Sequence, residues 1–181
     1  MKRLLLFSLL LSSCAPLVCP EGEDVKRAYS EYRAPNSYTA DLSLRYGLLR
    51  IPIRVQKSEG KFLISGEGRT GEISLNNLCV AGACIDLPVS PDGVIFGKVL
   101  RGDEKMACSY SGVSFERDDG VFKSRYVFKD GRLALAEFYD TKRDRKLTLN
   151  YLEWSKGGFA RAIRVQTEGL SLVLTVDSLK F

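Results

Sequence analysis

The chain has 181 residues, 45% hydrophobic and 27% charged, with 27 Lys and Arg against 22 Asp and Glu and no histidine. That size and balance suit one folded domain with a sizeable core and exclude a disordered chain. Without histidine there is no imidazole general base, no His-containing triad and no imidazole metal ligand. The charges are interspersed and form no dense basic run, so no nucleic-acid partner, metal or cofactor is expected.

Residues 1–14 read MKRLLLFSLLLSSC. Lys2 and Arg3 make a positive start, and Leu4 to Leu11 an apolar run too short to span a bilayer. Leu11-Ser12-Ser13-Cys14 resembles the lipobox of bacterial lipoproteins: an aliphatic residue, two small residues, then cysteine. The resemblance implies a signal peptide over 1–13, cleavage before Cys14, diacylglycerol on its sulfur and a further acyl chain such as palmitate on the new amine. By resemblance to proteobacterial sorting rules, Ala15, being a residue other than Asp, implies the outer membrane facing the periplasm. Ordinary secretion, with cleavage after Ala15, is the alternative. Residues 14–22 form a tether with Pro16, Pro20 and Gly22, and 23–181 the folded domain.

Cys19, Cys79, Cys84 and Cys108 leave an even number of cysteines in an exported chain. Cys79 and Cys84 flank Val-Ala-Gly-Ala, so a bridge across that turn is the first choice, with Cys19–Cys108 the second. Free thiols and a zinc site are the alternatives; the spacing lacks paired C-x-x-C.

In chain order, Val25, Ala28, Tyr29 and Tyr32 lie at i, i+3, i+4 and i+7, one face of a helix that Pro35 stops. Strand alternation follows: Ala40, Leu42, Leu44 and Tyr46, then Leu49, Ile51, Ile53 and Val55, with Gly47 between as a turn. Pro52 marks that second strand as an edge or a bulge. KFLISGEG and GEISLNNLCV continue the pattern. In LPVSPDGVIFGKVLRGD, Ser90 reads as an N-cap, Pro91 as the first helical residue and Gly102 as the stop; Gly93 and Gly97 weaken this short helix. Six more strands follow, over 107–116, 121–129, 132–140, 145–155, 159–167 and 170–180, with glycine hairpin turns between several of them. The expected fold is mostly β: an antiparallel up-and-down meander of about ten strands, curled into a partly closed barrel round one or two short helices.

The lipobox, helix, Tyr38-Thr39-Ala40-Asp41-Leu42-Ser43-Leu44 strand, SPDGVIFGKVLRG segment and terminal LTLNYLEW…FARAIRVQTEGLSLVLTVDSLKF together resemble the LolA/LolB superfamily of periplasmic lipoprotein carriers and receptors, LolB-like lipoproteins above all. The resemblance implies an unclosed barrel whose concave apolar face binds acyl chains beneath a helical lid. LolB also carries an exposed apolar loop for inserting cargo into the outer membrane; the nearest counterpart is Leu48-Leu49, which equally suits a core position.

Alternation puts Leu42, Leu44, Ile51, Ile53, Phe62, Ile64, Leu172 and Leu174 on one concave face, covered by Val94, Ile95, Phe96 and Val99. These either line a lipid cavity or simply pack together. The expected function is a membrane-anchored, non-enzymatic binder of lipid or lipoprotein acyl chains, in outer-membrane lipoprotein sorting. The alternative is a structural or sensing module that contacts an envelope protein. Asp118-Asp119 and the Asp140/Asp144 pair are the nearest to catalytic carboxylates, but they read as solvated hairpin ends. Lipidation predicts that Cys14→Ser releases the protein from membranes or leaves it unprocessed. Intact mass of the wild-type product decides it, since a mature chain without acyl mass contradicts the lipobox reading.

Overall fold

The computed structural model describes residues 20–66, 68–74, 77–80, 83–109 and 112–181; the predicted signal peptide, Cys14 and Cys19 lie outside them. Helix α1 (Pro20–Glu31) starts on a proline, whose missing N–H is no loss in a first turn, and carries Glu23 and Asp24 at its positive end. Val25, Tyr29 and Tyr32 pack on the core. Ala28, on the same predicted face, is exposed. The Tyr29 hydroxyl donates to the Gly131 carbonyl at 3.0 Å and accepts from the Leu133 N–H at 3.2 Å, fixing the helix across a hairpin.

Among the described residues thirteen strands form one antiparallel sheet: β1 (Tyr38–Tyr46), β2 (Leu49–Ser58), β3 (Lys61–Gly66), β4 (Arg69–Ser74), β5 (Asn77–Val80), β6 (Ala83–Asp86), then after helix α2 (Pro91–Phe96), β7 (Lys105–Ser109), β8 (Gly112–Asp118), β9 (Phe122–Lys129), β10 (Arg132–Asp140), β11 (Arg145–Trp154), β12 (Ala160–Thr167) and β13 (Leu170–Lys180). Their spatial order is β6-β5-β4-β3-β2-β1-β13-β12-β11-β10-β9-β8-β7. Two meanders are therefore joined by the β1–β13 pair, Thr39 opposite Lys180, and β6 and β7 are left as the two unpaired edges of an open barrel.

The expected meander is present in each half, with more strands than the ten read from sequence. GEISLNNLCV is two strands, because Ser74 pairs with Asn77, and 107–116 straddles another hairpin, Ser109 opposite Gly112. Neither two-residue link contains a glycine, unlike most of the other turns. β2 lies inside the sheet, not at an edge. Among the described residues β3 pairs with β2 over Arg54–Ser58, so the described pairing stops short of Pro52, which lacks an N–H to donate.

The two faces differ in chemistry. On the inner face a row of cross-strand partners, Phe115↔Tyr126↔Ala136↔Leu149↔Val165, crosses five strands. Phe115, Tyr126 and Ala136 are fully buried. On the outer face Asp41 and Asp177 knit β2, β1 and β13 together. Arg54 Nε and Ser178 Oγ donate to Asp41 at 2.7 and 2.8 Å; Arg50 Nη2 donates to Asp177 at 3.0 Å, and the Ser43 hydroxyl does so at close range.

The Ser43 hydroxyl holds the Asp177 carboxyl below the usual carboxylate range, helped by Arg50 and opposed by partial burial. Arg54 and then Ser178 do the same for Asp41. A depressed folded-state pKa contributes stability that is fully present above the usual Asp value of about 4 and is lost as pH falls through the folded value. The urea midpoint is expected to decline between roughly pH 5 and pH 2. Asp177→Asn is expected to flatten that decline, while costing on the order of 1 kcal/mol at pH 7, discounted for the group's exposure. An unchanged pH slope in the variant would contradict this assignment.

Candidate functional site

Register carries the concave face. Leu42 opposes Ile53 and Leu44 opposes Ile51 between β1 and β2; Leu44 also opposes Leu174 on β13, and Val55 opposes Ile64. Cross-strand partners share a face, so the sheet brings the predicted apolar residues together. Leu42, Phe62, Leu174, Ile95, Phe96 and Val99 are buried in the core, and Leu44, Ile53, Ile64 and Val94 lie half-buried against it. Ile51 and Leu172 are half-buried beyond it.

Exposure rises steadily along β1. Ala40 is 0% and Leu42 6% exposed, Leu44 is half-buried, and Tyr46 is 55% exposed. At the tip of the β1–β2 hairpin Leu48 is fully exposed and Leu49 56% exposed, so this pair is not core. Apolar surface thus continues from the sealed end of the concave face to an uncovered tip.

The sealed end is closed by α2, which is shorter and better built than its sequence suggests. Ser90 is the N-cap, its Oγ accepting from the Gly93 N–H at 3.2 Å. The helix stops at Gly97, not Gly102, because Gly97 adopts the left-handed φ of 68° that caps a C-terminus. Val99 and Leu100 are buried in the irregular segment that follows. The two glycines read as weaknesses are contact points. A Cβ on Gly97 would lie 2.8 Å from the Trp154 ring, and one on Gly93 would overlap Val89. The Gly93 carbonyl accepts the Tyr151 hydroxyl at 2.9 Å.

A buried ion pair pins this helix to the sheet. Lys57 Nζ lies 2.7 Å from Asp92 Oδ2, with side chains 10% and 15% exposed, and donates to the Pro35 carbonyl at 2.8 Å. The Tyr38 hydroxyl donates to Asp92 Oδ1 at 3.0 Å. Burial, then the neighbouring Asp92 carboxylate, pushes the Tyr38 phenol well up, so it stays a donor. Burial likewise raises Tyr151. The ring of Tyr38 also meets Phe96 edge-on, centroids 5.2 Å apart. Lys57 was legible as an anomaly, a cation in the apolar phase of Ile51, Ile53 and Val55, but its partner lies on another element.

The acidic pairs stay at hairpin ends. Asp118 and Asp119 accept from the N–H groups of Gly120, Val121 and Phe122, and Asp140 from those of Lys142 and Arg143. Among the described residues no three Cys, Asp or Glu side chains are placed to hold a metal ion. Cys79 and Cys84 stand opposite each other across the β5–β6 hairpin, though their side chains, like Cys19, lie outside the described residues. Cys108 is held in a disulfide. Removing one partner of a buried pair strands the other, so Asp92→Asn is expected to lower stability by about 3 kcal/mol in chemical denaturation. The double replacement Lys57→Met/Asp92→Leu is expected to recover most of that loss; no recovery would mean that Asp92 acts through Tyr38 alone.

No family model and no curated protein matches the chain. Solved structures do. A LolA superfamily protein from Nitrosomonas europaea is similar over 88% of this chain and 93% of its own, with a TM-score of 0.57 and 16% identity. A DUF1329 family protein from Desulfovibrio piger is similar over 89% and 92%, at 0.48 and 10%. A candidate outer membrane lipoprotein-sorting protein domain from Vibrio parahaemolyticus is similar over 91% and 93%, at 0.45 and 13%. An open antiparallel barrel with its concave face closed by a short helix, spanning nearly the whole described chain, is the LolA/LolB-like fold.

Proposed function

We propose that this protein is a non-enzymatic, lipid-anchored carrier or receptor that takes lipid or lipoprotein acyl chains onto its concave face, in outer-membrane lipoprotein sorting at the periplasmic side of the bacterial envelope. The observation that carries the reading is the exposure gradient along β1, from Ala40 through Leu44 to the bare Leu48-Leu49 tip. An acyl chain needs continuous apolar surface with one open end, and no catalytic group. In this reading Ile95, Phe96 and Val99 occupy the sealed end as the chain's own substitute for cargo, and α2 yields when cargo enters. Leu48 and Leu49 touch the membrane or the incoming acyl chain. The LolA superfamily name of the Nitrosomonas europaea neighbour supports a carrier role by fold alone. Anchoring through Cys14 rests on the lipobox.

Two disulfides belong to the proposal. Cys79–Cys84 would staple the β5–β6 hairpin across directly opposed positions. Cys19 is proposed as the partner of Cys108, because Gly22 of α1 lies against Met106 and Val113 of the hairpin that carries Cys108.

A second reading has its own support. Ile95, Phe96 and Val99 are 1%, 4% and 6% exposed, so the sealed end is a filled core, and the Leu48-Leu49 tip then serves to dock an envelope protein. A binding assay separates the two. The chain from Ala15 onward, mixed with a fluorescent fatty acid or lipopeptide, is expected to show saturable binding. Ile51→Glu and Leu172→Glu lie outside the packed core, so each is expected to weaken binding more than tenfold with little change in Tm. A folded protein without saturable binding favours the docking module.

A further inference from the structure

A second concavity, a cleft of about 610 Å³, opens where the α1–β1 link, the segment around α2 and the inner ends of β8 and β9 meet. Its volume lies within the range of small-molecule sites. Its charge is one-sided. Arg33, Lys57, Lys98, Arg101 and Arg117 line it, with Asp92 as the one carboxylate among the lining residues. Lys57 is consumed by Asp92, and Arg117 by the buried Glu104, 3.3 Å away. Among the described residues Arg33, Lys98 and Arg101 make no ion pair within 4 Å, though Arg101 lies in the field of Asp119, so three cations free of close carboxylate partners line one opening. By contrast, the cleft that shares Arg117 on its other side carries Asp103, Glu116, Asp118 and Glu137 against its lysines and arginines.

Arg117 stands in the wall between the two clefts. It is 8% exposed, its Nη1 and Nη2 reach Glu104 and Tyr126, and its Nε has no hydrogen-bond partner. Ser124, whose Oγ is likewise unpaired, lines the other cleft. Buried donors are rarely left unpaired in a folded protein. The cleft's wall also includes Val99 and Leu100, which belong to the apolar core. Charged opening and acyl-binding face thus share one segment, residues 98–101.

We propose that this cleft binds the phosphate of an anionic lipid head group, Arg33, Lys98 and Arg101 gripping its oxygens and Arg117 Nε lying behind, while the acyl chains enter the concave face beside Val99. The proposal rests on the acyl-binding reading and names its substrate class, a lipid with a phosphate-bearing, net-negative head. Guanidinium groups suit phosphate oxygens because they donate in a planar fork.

The test uses the chain from Ala15 to Phe181 and a bound fluorescent fatty acid. Short-chain phosphatidylglycerol and phosphatidylcholine with identical acyl chains compete for displacement. Phosphatidylglycerol is expected to displace the probe at least tenfold more effectively, with the preference shrinking in 0.5 M salt. The Arg33→Gln/Lys98→Gln/Arg101→Gln variant, altered at unpaired positions and checked by circular dichroism, is expected to bind both lipids alike. Equal displacement by both lipids in the unaltered protein overturns the head-group site and leaves the acyl-binding reading standing. If neither lipid nor the probe binds, that reading fails, and inorganic phosphate followed by ³¹P NMR decides the rest. Binding to the unaltered protein but not to the triple variant then supports a phosphate site filled from free solutes, and no binding overturns it.

Discussion

Pairing the first strand with the last constrains everything else in this fold. Once β1 and β13 form the middle of the sheet, β6 and β7 stand at opposite edges, and the chain between them must travel from one edge to the other. A right-handed twist curls so wide a sheet, and the passage runs over the concave face. That passage is the α2 segment. Its helix, its caps and its ion pair to Lys57 follow from the need to seat a connection on an apolar surface with its polar groups satisfied. Edge-to-edge connection and core plug are therefore the same piece of chain, which is why Ile95, Phe96 and Val99 are buried as deeply as residues of the sheet.

What was legible in the sequence was what period two encodes. The strands from Tyr38 to Gly66 and from Phe122 to Lys180 sit nearly where alternation and glycine turns place them, and the predicted apolar face is one face. The hairpins after Ser74 and Ser109 were illegible because their two-residue links carry neither a glycine nor a charged break in the pattern such as 141–144 between β10 and β11. The length of α2 was misread because Gly93 and Gly97 were scored by propensity, whereas packing decides them: one nests against Val89, the other under the Trp154 ring. Leu48-Leu49 could not be assigned from pattern, since an apolar pair at a turn looks the same buried or bare. The cationic cleft was wholly illegible, because Arg33, Lys57, Lys98 and Arg117 come from four separate stretches of chain.

Polar chemistry is divided between the faces according to solvent. Outside, Asp41 and Asp177 sit in hydrogen-bonded networks that water screens, so each contributes modestly. Inside, Lys57–Asp92 and Arg117–Glu104 are mostly or wholly desolvated, and breaking one partner costs far more than forming the pair gains. Glu104 is additionally held by the backbone N–H groups of Arg101 and Gly102 at 2.7 and 2.9 Å. The two inner pairs bracket the crossing segment near its start and at its end, fixing its register against the sheet.

The β1–β13 pair also sets an order of events in time. Thr39 must find Lys180 across nearly the whole chain, and such distant contacts form slowly because their loop-closure entropy is lost before any contact rewards it. A polypeptide emerging amino end first can zip β2 onto β1 at once, yet the other edge of β1 stays bare until β13 is out. Until then the concave face has only half its walls and α2 nothing complete to close. Such a chain stays open late, because the pair at the middle of its sheet waits for the last strand.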